Sequence, residues 1–247
     1  MSMTAHDRFQ AFMRFQPVDR PPLQEWGPWL ATLRLWTEET GKSREYCLSY
    51  LRECDAEEWT GLEFGMIPPF PERVVAEDDT TITRQDRMGK TFRLFKADPD
   101  ASMPEYLDSP VKTRGDWEAV KARLNPDTPG RYPADWEQRL VRWRRDRSVL
   151  RQYSATGPYY GGPSLYGFVR MLVGEEQALY LFHDAPALVH DMMDTATDFF
   201  VRVLTKSLRE APVTFVQFWE DMCFRGGPLI SPASMSAACW RGRPSPS

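Results

Sequence analysis

The chain has 247 residues, 42% of them hydrophobic and 27% charged, with 31 basic against 35 acidic side chains and a formal net charge of −4. That balance excludes disordered and fibrous classes, and at about 150 residues per domain it fits one large domain or two small ones. Mild acidity argues against a nucleic-acid partner, whose affinity would come from phosphate neutralisation. No run reaches the ~18 apolar residues of a membrane span, and Met1–Arg8 lacks the apolar stretch of a secretory signal. The expectation is a cytoplasmic protein with neither membrane nor nucleic acid as partner. Cys47, Cys54, Cys223 and Cys239 form no C-x-x-C pattern and read as reduced thiols.

In chain order, Thr4 caps a first helix carrying Phe9, Phe12 and Met13, which Pro17 ends. Pro21–Trp26 reads as a first strand, since Pro-Pro suits only a strand's first positions. Helices follow at Trp29–Thr40 and Ser43–Cys54, the second with Cys47 and Cys54 as small core residues. The period then changes: strand-like text at 73–76, 80–83 and 91–95 predicts an antiparallel flap over 73–96, turning at Arg87–Lys90. Pro99–Pro110 reads as a connector, and Asp116–Leu124 and Pro133–Arg147 as surface helices.

The last third alternates. Val149–Ala155 is a strand, helical text resumes at Ser164, and Asp184 caps a long helix with Leu188, Val189, Met192, Met193, Phe199, Phe200 and Val203 at amphipathic spacing. Pro212 stops it, and Val213–Trp219 reads as a strand buried on both faces. Strand–helix–strand at these lengths is a βαβ unit. From Pro232 to Ser247 the period is lost, so 232–247 is expected to be an aberrant, disordered tail on a fold cut off in mid-unit.

Gly41-Lys42-Ser43 and Gly89-Lys90-Thr91 imitate a phosphate-binding loop, but Trp36 and Arg84 stand where it needs glycine. Ser164 misses the spacing of a nucleophile elbow and reads as a helix cap. His183 and His190 lack a third ligand. Arginines 139–147 flank a Trp136–Leu140–Trp143 stripe, read as a solvated helix packing two tryptophans.

Two places remain. Glu220 and Asp221 stand at the carboxyl end of a strand, where parallel α/β folds build sites, and two carboxylates in different environments can divide acid and base roles. The alternative is that one caps the next helix and the other pairs with Arg225. Glu25 and Trp26 after the first strand, and Tyr159 and Tyr160 after the third, could line a pocket for a flat ligand.

Arg14-Phe15-Gln16-Pro17-Val18-Asp19-Arg20-Pro21-Pro22 resembles the opening of the uroporphyrinogen decarboxylase-like superfamily. Trp219-Glu220-Asp221-Met222 with Gly226–Pro232 resembles a mid-barrel segment of it, and Pro186–Leu208 the long helix before that segment. The resemblance covers about residues 4–232. It implies a (β/α)8 barrel of TIM type, α/β in class, of which residues 1–231 would be the amino-terminal part, strands one to about four, with the flap inserted. It also implies an enzyme, either a tetrapyrrole carboxy-lyase or a corrinoid-linked methyltransferase. The decarboxylases' Arg-x-Ala-Gly-Arg-Tyr clamp is replaced here by Gln24–Trp29, without arginine. The methyltransferases' zinc-binding His-x-Cys is absent, since Arg8, Ala185 and Met192 stand two residues after the histidines.

Methyl transfer is therefore the expected chemistry. Glu220 and Asp221 would be catalytic, Glu25, Trp26, Tyr159, Tyr160 and Arg225 would bind substrate, and no metal ligand is identified. The substrate would be a small molecule or a group borne on a tetrapyrrole, with a corrinoid protein as partner. Corrinoid and zinc belong to full-length relatives. Decarboxylation of uroporphyrinogen, or a truncated inactive product, are the alternatives.

Overall fold

In the computed structural model, which describes residues 3–25, 27–98, 104–152, 164–218 and 220–234, the chain is a mixed α/β fold with a parallel and an antiparallel sheet. Helix α1 (Ala5–Met13) starts as expected at Thr4, whose hydroxyl accepts the Asp7 N–H at 3.1 Å. Helix α2 spans Leu30–Thr40 and stops at Gly41, in the left-handed region at φ 64°. The helix expected over 43–54 is only α3 (Arg44–Cys47), followed by a 3-10 turn at Ser49–Glu53. Cys47 and Cys54 are half-buried, so they are not core residues.

The expected first strand is corrected too. Residues 21–25 belong to no sheet, because two prolines remove ladder donors. The segment is instead tied to the turn before β1 (Glu57–Trp59), a strand the sequence reading missed. Leu23 donates its N–H to the Asp55 carboxylate at 2.9 Å and accepts the Asp55 N–H at 2.7 Å. The Pro-Val-Asp-Arg run has a structural role here. Buried Arg8 on α1 pairs with Asp19 at 2.7 Å and with Asp55, and Arg20 pairs with Asp55 at 2.8 Å. The Arg8 hydrogen bond holds the Asp19 carboxyl well below the usual carboxylate range.

The flap is present and larger than expected. Strands β2 (Arg73–Glu77), β3 (Thr81–Gln85) and β4 (Thr91–Phe95) are joined by β5 (Glu105–Asp108), inside the segment read as a connector. All pair antiparallel in chain order. Gly89 turns between β3 and β4 at φ 84°, where a Cβ would sit 3.0 Å from Phe70 and Pro110.

Helices α4 (Arg114–Lys121) and α5 (Trp136–Asp146) follow, the first opened by a Thr113–Asp116 capping box. Their apolar stripes are core: Trp117 and Trp143 are fully buried, and Trp136 and Leu140 nearly so. The α5 arginines are held inside the chain, among them Arg139 by Asp135 at 2.8 Å and Arg142 by Glu58 at 2.6 Å. Strand β6 (Val149–Gln152) leads through 153–163, outside the described residues, to α6 (Tyr166–Val173), α7 (Glu175–Asp184) and α8 (Pro186–Glu210). Asp184 ends α7 rather than capping α8, because Pro186 fits the first helical turn directly. The α8 stripe is buried at Val189, Met192, Met193, Ala196, Phe199, Phe200, Val203 and Leu204. Asp191 of α8 holds α4 by accepting Trp117 Nε1–H at 2.8 Å and pairing with Lys121 at 2.7 Å.

The strand expected over 213–219 shrinks to β7 (Phe215–Val216), half-buried rather than buried on both faces. A short hairpin, β8 (Cys223–Phe224) and β9 (Gly227–Pro228), follows. The parallel sheet runs β1–β6–β7, each strand beside the next in chain order. It is open, and no barrel closes among the described residues. Residues 235–247, most of the expected tail, lie outside them. Among the described residues no helix is long and apolar enough to cross a membrane.

Candidate functional site

Register assigns the two faces of the parallel sheet. Glu57 pairs with Val149, Trp59 with Arg151 and Arg151 with Phe215, so these side chains share one face. Glu58 and Leu150 point the other way, into the helices. Leu150 is fully buried in the core with α4, α5, α6 and α8 residues, and Glu58 accepts Trp143 Nε1–H at 3.0 Å. The first face carries Phe215 stacked on Phe9 of α1 at 4.8 Å, and beside it a polar row.

That row crosses the sheet. Gln24 donates to Glu57 Oε2 at 3.0 Å, Glu57 Oε1 pairs with Arg151 Nη2 at 2.7 Å, and Arg151 Nη1 donates to Gln217 at 2.9 Å. The guanidinium also lies 4.7 Å from the Trp59 ring centroid, a cation–π distance. Arg151 is 3% exposed, while Trp59 at 44% and Phe218 at 65% are open to solvent. Burial pushes the Glu57 carboxyl up from its ordinary value, and Arg151 pulls it back only in part. At the end of β1, Thr60 is fully buried with its hydroxyl unpartnered. A buried guanidinium on β6, a carboxyl poised nearer neutrality at the amino end of β1 and an orphan hydroxyl just past that strand's carboxyl end line this face, where they can bind a polar group and exchange a proton with it.

Of the residues expected from sequence, Trp26, Tyr159 and Tyr160 lie outside the described residues. Glu25 is exposed and accepts the Gly27 N–H at 3.1 Å, while its neighbour Gln24 is the one that reaches Glu57. Arg225 is exposed in the β8–β9 turn. Glu220 accepts the N–H groups of Leu165 at 2.6 Å, Tyr166 at 3.3 Å and Gly167 at 3.2 Å, capping α6. Asp221, half-exposed, has Arg170 as its ion partner, at 3.6 Å. The capping-and-pairing alternative is thus realised with other partners, α6 and Arg170 instead of the next helix and Arg225. Ser164 does not cap α6, and its buried hydroxyl has no partner.

The sequence reading missed Glu57, Arg151 and Gln217. Arg151 directly after Val149-Leu150 in a strand expected to lie in a parallel sheet was the available signal, since a charge there demands a partner. Two hollows, of about 480 Å³ beside Phe70 and Arg87 and about 430 Å³ beside Phe12 and Phe15, are lined by none of these residues.

The chain matches no protein-family model, no curated protein and no solved structure. Among the described residues no three His, Cys, Asp or Glu side chains form a metal-holding group.

Proposed function

We propose that residues 1–231 are the first part of a barrel of the uroporphyrinogen decarboxylase-like kind, and that the polar face of the parallel sheet handles a methyl group presented on a corrinoid substrate. The observation that carries this reading is the winding. Strands β1, β6 and β7 lie side by side in chain order, with α5 and α8, one from each crossover, packed on one face. A doubly wound sheet reverses its strand order and covers both faces with crossover helices. A singly wound arc turns its other face inward, where a barrel places its site.

Arg151 sits on that inward face but is committed to Glu57 and Gln217. With no arginine in Gln24–Trp29, the edge is poorly equipped for a substrate with many carboxylates. It suits a broad, flat one, with Trp59 as an apolar contact and Glu57 as the proton-handling group. Asp221 orients the reacting group, and Glu220 holds the loop on α6.

The test is turnover of the purified chain with methylcobalamin and a small thiol, against uroporphyrinogen in parallel. Thiol methylation above the uncatalysed rate, cut at least tenfold in Glu57→Gln and in Asp221→Asn, is expected. Release of carbon dioxide from uroporphyrinogen instead would establish decarboxylation, and turnover of neither would favour the inactive product.

A further inference from the structure

The start of α6 is built in an unusual way. Helix caps ordinarily come from the residue just before the first turn, and Ser164 stands nearly in that place with the right side chain. Its hydroxyl is nevertheless unpartnered, in a residue only 8% exposed. The three converging N–H groups are taken instead by Glu220, from the loop after β7. A buried hydroxyl without a partner costs free energy and calls for an explanation.

The surroundings supply one. A Cβ on Gly167 would stand 2.2 Å from Ser164 Oγ and 3.9 Å from Glu220 Oε2, so the glycine lets the Ser164 hydroxyl pack against the first turn of α6 beside the Glu220 carboxylate. Arg170, one turn along α6, has a buried Nε with no hydrogen-bond partner, and its Nη2 is 3.6 Å from Asp221. Three N–H groups at a helix amino terminus with a buried hydroxyl against them are donors suited to an oxyanion, and the Arg170 guanidinium, paired with the residue after Glu220, adds positive charge nearby. Glu220 spreads both its oxygens over those N–H groups, so the group already fitted there is a carboxylate.

We propose that the α6 amino terminus, Ser164 and Arg170 form a carboxylate-binding cradle that Glu220 fills from within, and that a ligand's carboxylate enters by displacing it. Glu220 is then a tethered competitor, which frees the loop after β7 when it leaves. Because a tethered group acts at an effective concentration of about millimolar or more, the unaltered chain responds only to high ligand concentrations. The inference does not depend on the reaction proposed above.

Thermal midpoints in sodium acetate, with sodium chloride at equal ionic strength as reference, test it. Glu220→Ala is expected to melt lower than the parent and to be raised by acetate, with a half-effect at least tenfold below the acetate concentration the parent requires. Adding Ser164→Ala or Arg170→Met should weaken that rescue several-fold. Inorganic phosphate in the same series should act more weakly than acetate if the cradle is shaped for a planar carboxylate. If Glu220→Ala does not fold in chloride, its refolding yield in acetate gives the same reading. Equal effects of acetate and chloride, or full rescue without Ser164 and Arg170, would overturn the cradle.

Discussion

The two faces of the parallel sheet solve opposite problems with strands of the same few residues. On the helix side, Leu150 lies among Trp143, Phe199 and Val203, and the lone charge, Glu58, is absorbed by Trp143, Arg142 and Ser148. On the other side, Glu57, Arg151 and Gln217 put a continuous polar row where a scaffold would be cheaper to build from aliphatic groups. The first face is explained by stability. The second is not, because a buried ion pair contributes little net stability over packed apolar residues, and binding is the role proposed for it.

The largest effect should come from the helix side. Leu150→Ala removes a fully buried side chain from a close-packed core, and chemical denaturation should show a loss of about 3–5 kcal/mol. A loss under about 1 kcal/mol would mean that the strand is not the core's floor.

On the polar side, Arg151→Met strands the Glu57 carboxylate and should cost about 2–3 kcal/mol, whereas Glu57→Leu with Arg151→Met should return to within about 1 kcal/mol of the parent. If the double variant is as unstable as the single, the row is a structural brace and the contrast between the faces fails.

The smallest effect is in pH dependence. Burial raises the Glu57 pKa in the folded chain, so the folded state binds that proton more tightly than the unfolded one. The stability this contributes is complete below the ordinary glutamate value of about 4.3 and is lost as pH rises through the folded value. Urea midpoints of the parent relative to Glu57→Gln should therefore fall as pH rises from about 4 toward neutrality. A rising difference would mean that Arg151 outweighs burial.

The sequence spoke most clearly where local chemistry decides. Thr4, the α8 stripe, the Trp136–Trp143 stripe and the Thr- and Val-rich flap strands all form the elements their residues favour. It misled where distant partners decide. Glu57-Glu58-Trp59 has no strand signature, and it becomes one only because Arg151 answers one glutamate and Trp143 the other. Pro21-Pro22 looked like a strand entry, but the missing donors left it bound to Asp55. Glu220 looked like a site residue because of its place after a strand, and the N–H groups that hold it come from a helix 53 to 55 residues earlier. Spacing cannot show such a partner.

Equilibrium dialysis of methylcobalamin against the parent chain and the Glu57→Leu, Arg151→Met double variant tests the central claim most directly, because that variant lacks the row and is expected to keep the fold. Binding by the parent, weakened at least tenfold in the variant at an unchanged thermal midpoint, is the predicted result. Equal retention by both proteins, or none by the parent, would contradict a ligand site on this face of the sheet.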